Sequence, residues 1–209
     1  MIKVVQKRFP ADTSLKTNTT TFLSDKKIDG ELYAYLQSIS RPVEVEDRVE
    51  TRVYFCEMPK QADIMSKLSI KSYKTFKSHL QYLIDKGYVI ERNEFYILDN
   101  KEDIFLMIPL STLQFLLDVV QDNIIKIYIY LGQKYKYAMT LGTQYEFTLQ
   151  ELADHLGMKT NGNGRTYEIL KNALSALHDF GLIDWVEFYD GRAPKKKLTK
   201  YSFEYKRKK

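Results

Sequence analysis

The sequence predicts an α+β fold that is mainly helical and contains two successive units built to the same plan. Apolar residues recur every three to four positions in several segments, which is typical of amphipathic helices. Each half of the chain reads as a helix, a strand, a short helix, a longer helix and a hairpin. Both longer helices end in a related sequence, LIDKGYVIE and LHDFGLIDW, with Gly87 and Gly181 at the same place.

The chain has 209 residues, which suffices for one large or two small domains. We divide it into an arm at 1–27, a first domain at 28–102, a second domain at 103–205 and a basic tail at 206–209. The single cysteine, Cys56, excludes an internal disulfide and agrees with a reducing compartment. The N-terminus lacks the apolar core of a signal peptide, and no apolar run reaches the ~18 residues of a membrane helix. We therefore expect a cytoplasmic protein with no membrane partner.

The first unit begins with a helix in IDGELYAYLQSIS, where Ile28, Leu32 and Leu36 keep helical spacing and Pro42 ends the helix. The charged, alternating VEVEDRVET predicts a loop or a hairpin, and RVYFCEM predicts a strand. KQADIMSKLS and IKSYKTFKSHLQYLIDKG then predict a short and a longer helix. YVIERNEFYIL reads as a hairpin with Asn93 in its turn.

The second unit opens with MIPLSTLQFLLDVVQDN, a predicted helix near Pro109 with a capping box from Ser111 to Gln114. NIIKIYIYLGQKYKYAM is ambiguous, because IYIY alternates like a strand while the wider apolar spacing fits a helix. We favour a helix, since the strand-like QYEF then precedes TLQELADHL, as the plan requires.

The stretch from Thr148 onward is the most informative. Thr148 and Glu151 form a second capping box, and Gly157 ends the short helix. After a KTNGNG turn, RTYEILKNALSALHDFGL is a longer helix, and IDWVEFYD with KKKLTKYSFEY forms a hairpin with a basic tip. This order of elements is that of a winged helix-turn-helix, so the sequence predicts two such domains in tandem.

The outer face of the second long helix carries polar side chains opposite its apolar face. They are Arg165, Glu168, Asn172 and Ser175, with Lys171 at the edge. Asparagine can contact adenine with two hydrogen bonds, and arginine can contact guanine or a phosphate. Such residues are more often a solvated face, so the pattern alone permits either interpretation.

The hairpin tip is the stronger indication of DNA binding. Its basic residues are Arg192, Lys195, Lys196, Lys197 and Lys200. From Gly191 to the C-terminus, nine Lys and Arg residues stand against one glutamate, whereas the chain as a whole carries a net charge of only +5. A solvated basic tail is the simple alternative. A folded hairpin would instead fix these cations beside the second helix, where they could neutralise phosphates.

The first unit differs from the second in its charges. Its long helix offers Lys71, Lys74 and Ser78 as candidate DNA contacts, while its hairpin carries Glu91 and Glu94. These charges are compatible with two units that contact DNA in different ways. They are equally compatible with one DNA-binding unit and one interaction unit. Surface solubility explains the lysines equally well.

Enzymatic chemistry has little support in the sequence. There is no phosphate-binding G-x-x-x-x-G-K-[ST] loop, and the Asn-Gly pairs at 161–164 indicate a turn. The histidines His79, His155 and His178 form no metal-binding pair, and Cys56 reads as a core residue. We predict no catalytic residues, no metal site and no cofactor.

The segments MIPLSTLQFLLDVVQDNIIKIYIYLGQKYKY, FTLQELADHLGM and LKNALSALHDFGLIDW resemble replication proteins of Gram-positive plasmids and phages. These are initiators with tandem winged helices and DnaD-like replisome organisers. The resemblance covers 104–205, and the first half matches only in architecture. It implies binding of double-stranded DNA, origin recognition and self-association, and in a DnaD-like protein the first unit would mainly self-associate.

The leading hypothesis is therefore a replication initiator of a plasmid or phage that recognises origin DNA. A transcriptional regulator of the same fold is the alternative among DNA-binding proteins. A protein–protein scaffold that joins a replicative helicase or its loader is the alternative from another class, and in it the basic tail would be incidental.

Overall fold

The computed structural model describes residues 2–4, 14–18, 27–45, 48–99, 105–119, 123–160, 164–191 and 193–204. These residues form an α+β structure with seven helices and ten strands. The described residues up to Asp118 make one compact unit, and those from Val119 onward make a second. The predicted α+β class is confirmed, and the predicted tail at 206–209 lies outside the described residues.

The first unit contains the elements that the sequence predicts between 28 and 102, together with others on either side. Its elements in chain order are β1 (Ile2–Val4), β2 (Ser14–Asn18), α1 (Lys27–Ile39), β3 (Arg41–Val45), β4 (Arg48–Glu57), α2 (Gln61–Lys67), α3 (Tyr73–Asp85), β5 (Val89–Arg92), β6 (Phe95–Asp99), β7 (Phe105–Pro109) and α4 (Leu110–Asp118). Strands β3 and β4 pair antiparallel, so the segment predicted as a loop or a hairpin is a hairpin.

A five-stranded antiparallel sheet in the order β1-β3-β4-β6-β5 forms one layer of this unit. Helix α3 packs against both α1 and strand β5. Its apolar side buries Phe76, Leu80 and Leu83, while α1 contributes Leu32 and Leu36 to the core. The polar side of α3 therefore faces away from the core.

The predicted domain boundary at residue 102 differs from that of the structure, which follows Asp118. Strand β7 pairs antiparallel with β2, and α4 packs against α1, so both elements join the first unit. The pairing buries Leu15, Leu106 and Ile108. The predicted arm at 1–27 thus contains two paired strands. The predicted capping box at Ser111 is wrong, because α4 begins one residue earlier, at Leu110.

From Ile124 onward the second unit follows the predicted order, although the helix predicted to open it, α4, belongs to the first unit. Its elements are α5 (Ile124–Thr140), β8 (Glu146–Phe147), α6 (Leu149–His155), α7 (Arg165–Asp179), β9 (Ile183–Asp190) and β10 (Ala193–Tyr201). The predicted helix in the IYIY segment is confirmed. Residues 124–132 are all buried, so the segment lacks the one-sided apolar pattern that marks a surface helix. This burial explains why its sequence was ambiguous.

The capping box that begins α6 is confirmed in both of its hydrogen bonds. The Glu151 backbone N–H donates to Thr148 Oγ1 at 3.1 Å, and the Thr148 N–H donates to Glu151 Oε2 at 2.7 Å. Two backbone donors that a helix start leaves free are thereby satisfied. The start of α6 is consequently fixed by local sequence.

The two long helices, α3 and α7, share one register when Asp85 is aligned with Asp179, the residues at which they end. The buried positions then coincide: Phe76 with Leu170, His79 with Ala173, Leu80 with Leu174 and Leu83 with Leu177. Gly87 and Gly181 follow with φ of 71° and 69°. In each unit the last strand of the hairpin also lies between the first hairpin strand and the strand that precedes the short helix, in the orders β4-β6-β5 and β8-β10-β9. The repeated plan is therefore present in backbone and core alike.

The short helices α2 and α6 also end alike, but with different residues. Ser69 and Gly157 both have positive φ, at 53° and 65°, and the next residue donates to a carbonyl five positions back in each unit. The left-handed conformation is strained for a residue with a Cβ and nearly free for glycine.

We expect Ser69→Gly to stabilise the first unit by about 0.5–1 kcal/mol, because it removes that strain while keeping the hydrogen bonds. Urea unfolding followed by circular dichroism measures the change. Gly157→Ser is the reciprocal control and should destabilise by a similar amount. A Ser69→Gly midpoint below that of the wild type would contradict the argument.

Candidate nucleic-acid interface

The outer face of α7 is open to solvent. Arg165, Glu168, Lys171, Asn172 and Ser175 are all exposed. The opposite side packs its leucines into the core of the second unit, so these side chains hold a fixed position on a buried scaffold. The sequence predicted this placement, and the helix presents the face that a groove-binding contact would need.

The charged side chains around this face carry a small net negative charge. Glu168 lies among the candidate residues, and Asp179 ends the helix. Helix α6 adds the exposed Glu151 and Asp154, so these four carboxylates stand against the two cations Arg165 and Lys171. A negatively charged DNA backbone would therefore gain no net attraction from the α6 and α7 surface, which suits contact at selected side chains near the helix start.

The β9–β10 hairpin lies beside the C-terminal end of α7. Lys200 Nζ donates a hydrogen bond to the Gly181 carbonyl at 3.2 Å. The His178 ring, in the last turn of α7, meets Trp185 of β9 edge-on with the ring centroids 5.4 Å apart. The hairpin and the helix therefore form one surface.

Ion pairs hold three of the hairpin lysines. Lys195 Nζ lies 2.8 Å from an Asp190 carboxylate oxygen, and Lys197 Nζ lies 3.3 Å from Glu146. Lys196 pairs with Glu187 across the two strands. The hydrogen bond that Lys195 donates to Asp190 lowers the pKa of Asp190 and raises the pKa of Lys195.

The ammonium groups of two of these lysines also lie over aromatic rings. Lys196 Nζ lies 5.5 Å from the Trp185 ring centroid, and Lys197 Nζ lies 5.5 Å from that of Phe188. The hairpin thus carries less free positive charge than its composition suggests. Arg192, the remaining basic candidate at the tip, lies outside the described residues.

Helix α3 of the first unit presents a different surface. The candidates Lys74 and Ser78 are exposed there, and so is Lys77. The candidate Lys71 is also exposed, but it lies two residues before α3 begins and not on the helix as predicted. Lys77 Nζ lies 5.1 Å from the ring centroid of Tyr73, which is 48% exposed. Within the described part of the chain, no carboxylate pairs with any of these three lysines.

The contacts predicted from sequence did not include Lys77 or Tyr73, although the alignment of the two long helices would have indicated Lys77. Lys77 aligns with the candidate Lys171, and Tyr73 aligns with Tyr167. The hairpin of the first unit keeps Glu91 and Glu94 exposed, so its acidic character is present at the surface.

The described residues hold no group of three His, Cys, Asp or Glu side chains arranged to bind a metal ion. Cys56 is buried, in agreement with its predicted place in the core. Across the same described ranges, every helix is too short or too polar to cross a lipid bilayer.

No protein-family model matches the chain, and no curated protein matches it significantly. The resemblance to plasmid and phage replication proteins stays a prediction. Function is therefore inferred from the two long helices, the hairpins that follow them and the charges that these elements carry.

Proposed function

We propose that the chain binds double-stranded DNA through two winged helix-turn-helix units and acts as a plasmid or phage replication initiator that recognises origin DNA. One observation carries the proposal. Two long helices in the same register, α3 and α7, each bury one side and leave a polar side in solvent, with a hairpin following. A helix presented in this way can enter a major groove while the hairpin contacts the backbone.

Within this proposal, α7 reads sequence. Arg165 and Asn172 carry the two side chains whose geometry suits paired hydrogen bonds to guanine and adenine, respectively. Lys171 lies at the edge of the same face and would contact a phosphate, which positions the helix without reading bases. The absence of excess positive charge on α6 and α7 favours such selectivity, because these helices exert no long-range attraction on DNA of any sequence.

Selection of bound duplexes from a random pool, followed by sizing of the complex, tests the function. Enrichment of a directly repeated motif would support an initiator, since initiators bind repeated sites as several copies. A single palindrome would indicate a transcriptional regulator instead. No enrichment, with no binding to any duplex, would reject DNA binding and leave the protein–protein scaffold.

We expect Asn172→Ala to relax sequence preference at one position of the selected site by about 1–3 kcal/mol, because the adenine contact is lost. Binding to unrelated DNA should stay the same. Competition between the selected duplex and single-base variants measures this effect.

Lys171→Ala is the matched comparison, one residue away on the same helix. It should weaken binding to all duplexes equally and lower the salt dependence by about one phosphate contact. If Asn172→Ala also weakened all duplexes equally, Asn172 would not read a base.

A further inference from the structure

Resting on the proposed function, we propose that the first unit holds duplex DNA by its phosphate backbone through a lysine face at the start of α3. We define this face as Tyr73, Lys74 and Lys77 of α3, together with Lys71, which lies two residues before the helix begins. The first unit would supply affinity that is independent of sequence, while α7 of the second unit supplies selectivity. Neither Tyr73 nor Lys77 belongs to the contacts predicted from sequence.

The position of the lysine face follows from the helical repeat. Phe76, Leu80 and Leu83 turn inward and are buried. Lys74 lies on the opposite side of the helix and Lys77 at the edge of that side, and both are exposed. Because the buried residues fix the rotation of α3, the lysines cannot be turned away from a ligand that approaches this side.

The corresponding face of α7 shows what distinguishes the two units. Lys71 aligns with Arg165 and Lys77 aligns with Lys171, so a cation is kept at both positions. Lys74, however, aligns with Glu168, which reverses the charge at the centre of the face. The α3 face therefore attracts a polyanion more strongly than the α7 face does.

The lysines of the β9–β10 hairpin are weaker candidates for this role. Lys195, Lys196 and Lys197 each have a carboxylate partner, which would remain beside any phosphate that they contacted. The lysines of the α3 face have no such partner among the described residues. A phosphate contact by these lysines therefore gains the full effect of counterion release.

The chemistry of the α3 face suits phosphates better than bases. Lysine is a point charge without the planar fork that reads guanine. Gln81, one turn further along, donates to the Asp85 carboxylate at 2.8 Å, so its amide is engaged within the helix. Exposed Glu91 and Glu94 would repel the backbone, so the hairpin of this unit would stay off the DNA.

The test uses the full chain and two fluorescent duplexes, one carrying the selected site and one unrelated, across a range of salt concentrations. The triple variant Lys71→Ala, Lys74→Ala and Lys77→Ala is expected to weaken both duplexes by roughly tenfold or more at low salt. The slope of log affinity against log salt should fall by about three. Lys86→Ala is the matched control, because Lys86 lies beyond the end of α3 and outside the lysine face. Lys86→Ala should change neither the affinity nor the slope.

Two further variants compare the units directly. Lys195→Ala, Lys196→Ala and Lys197→Ala together should lower the slope less than the α3 triple variant does. Glu168→Lys, which gives α7 the central charge of α3, should strengthen binding to the unrelated duplex. Circular dichroism on each variant confirms that the fold is kept.

The outcomes separate this inference from the proposed function. If the wild type binds neither duplex, the proposed function and the inference about the lysine face both fail. If the wild type binds but the α3 triple variant has unchanged affinity and slope, the lysine face does not contact DNA, and an acidic protein becomes its expected ligand. If the triple variant loses only the selected duplex, the face reads bases, and the inference is overturned.

Discussion

Replacing Asp29 by alanine is expected to destabilise the first unit by about 3 kcal/mol. Asp29 lies in α1 and His79 in α3, and Asp29 Oδ1 is 2.6 Å from His79 Nδ1. Both side chains are buried, at 1% and 8% exposure. Removing the carboxylate leaves the imidazole nitrogen without this partner in a site from which water is excluded.

Urea unfolding followed by circular dichroism at 222 nm measures the loss. Trp185, the single tryptophan, belongs to the second unit, so its fluorescence serves as an internal reference. We expect the dichroism transition to move to lower urea and to precede the fluorescence transition. Asp29→Asn is the control, because its amide oxygen can still accept the hydrogen bond and should limit the loss to about 1 kcal/mol. An Asp29→Ala protein as stable as the Asn variant would contradict the role of the pair.

The same pair shows where sequence interpretation ends. His79 has no metal-binding neighbour in the sequence, and it reads as an isolated histidine. Its partner lies 50 residues upstream, in α1, which packs directly against α3. Spacing along one helix identifies a buried position. It cannot identify the residue that satisfies a polar group there.

Features set by near neighbours were predictable. The capping box at Thr148, the left-handed Gly181 and the start of α7 at Arg165 all follow from local sequence. The start of α3 does not, since it lies at Tyr73 and the predicted helix began at Ile70. The domain boundary was not predictable, because it depends on the pairing of β2 with β7, and these strands lie near opposite ends of the first unit's sequence. Strand pairing over such a separation leaves no periodic signal in either segment.

The charge pairing at the β9–β10 hairpin also depends on contacts that local sequence does not show. Composition predicted a basic tip, and the lysines are present there. Only the register of β9 and β10 places Lys196 opposite Glu187 and so reveals that this charge is paired. A count of charges in the sequence gives the net value, whereas attraction for DNA depends on which cations remain unpaired.

A buried lysine provides the second large expected effect, in the second unit. Lys126 of α5 is 5% exposed, and its Nζ donates to the Leu156 carbonyl at 2.7 Å. Leu156 caps α6, where helix geometry leaves carbonyl groups without partners. We expect Lys126→Ala to destabilise this unit by about 3 kcal/mol, because it removes both the alkyl packing and the donor. Trp185 fluorescence during urea unfolding measures this loss of stability.

Lys126→Met separates the two contributions, since methionine restores most of the packing but not the hydrogen bond. It should recover roughly half of the lost stability. Lys134→Met is the control on the same helix, because Lys134 is only partly buried and its ammonium lies over the Tyr130 ring at 5.5 Å. A methionine variant no more stable than the alanine variant would assign the whole effect to the hydrogen bond. If Lys126→Ala did not change the stability of the second unit, the hydrogen bond from Lys126 to the Leu156 carbonyl would not stabilise the end of α6.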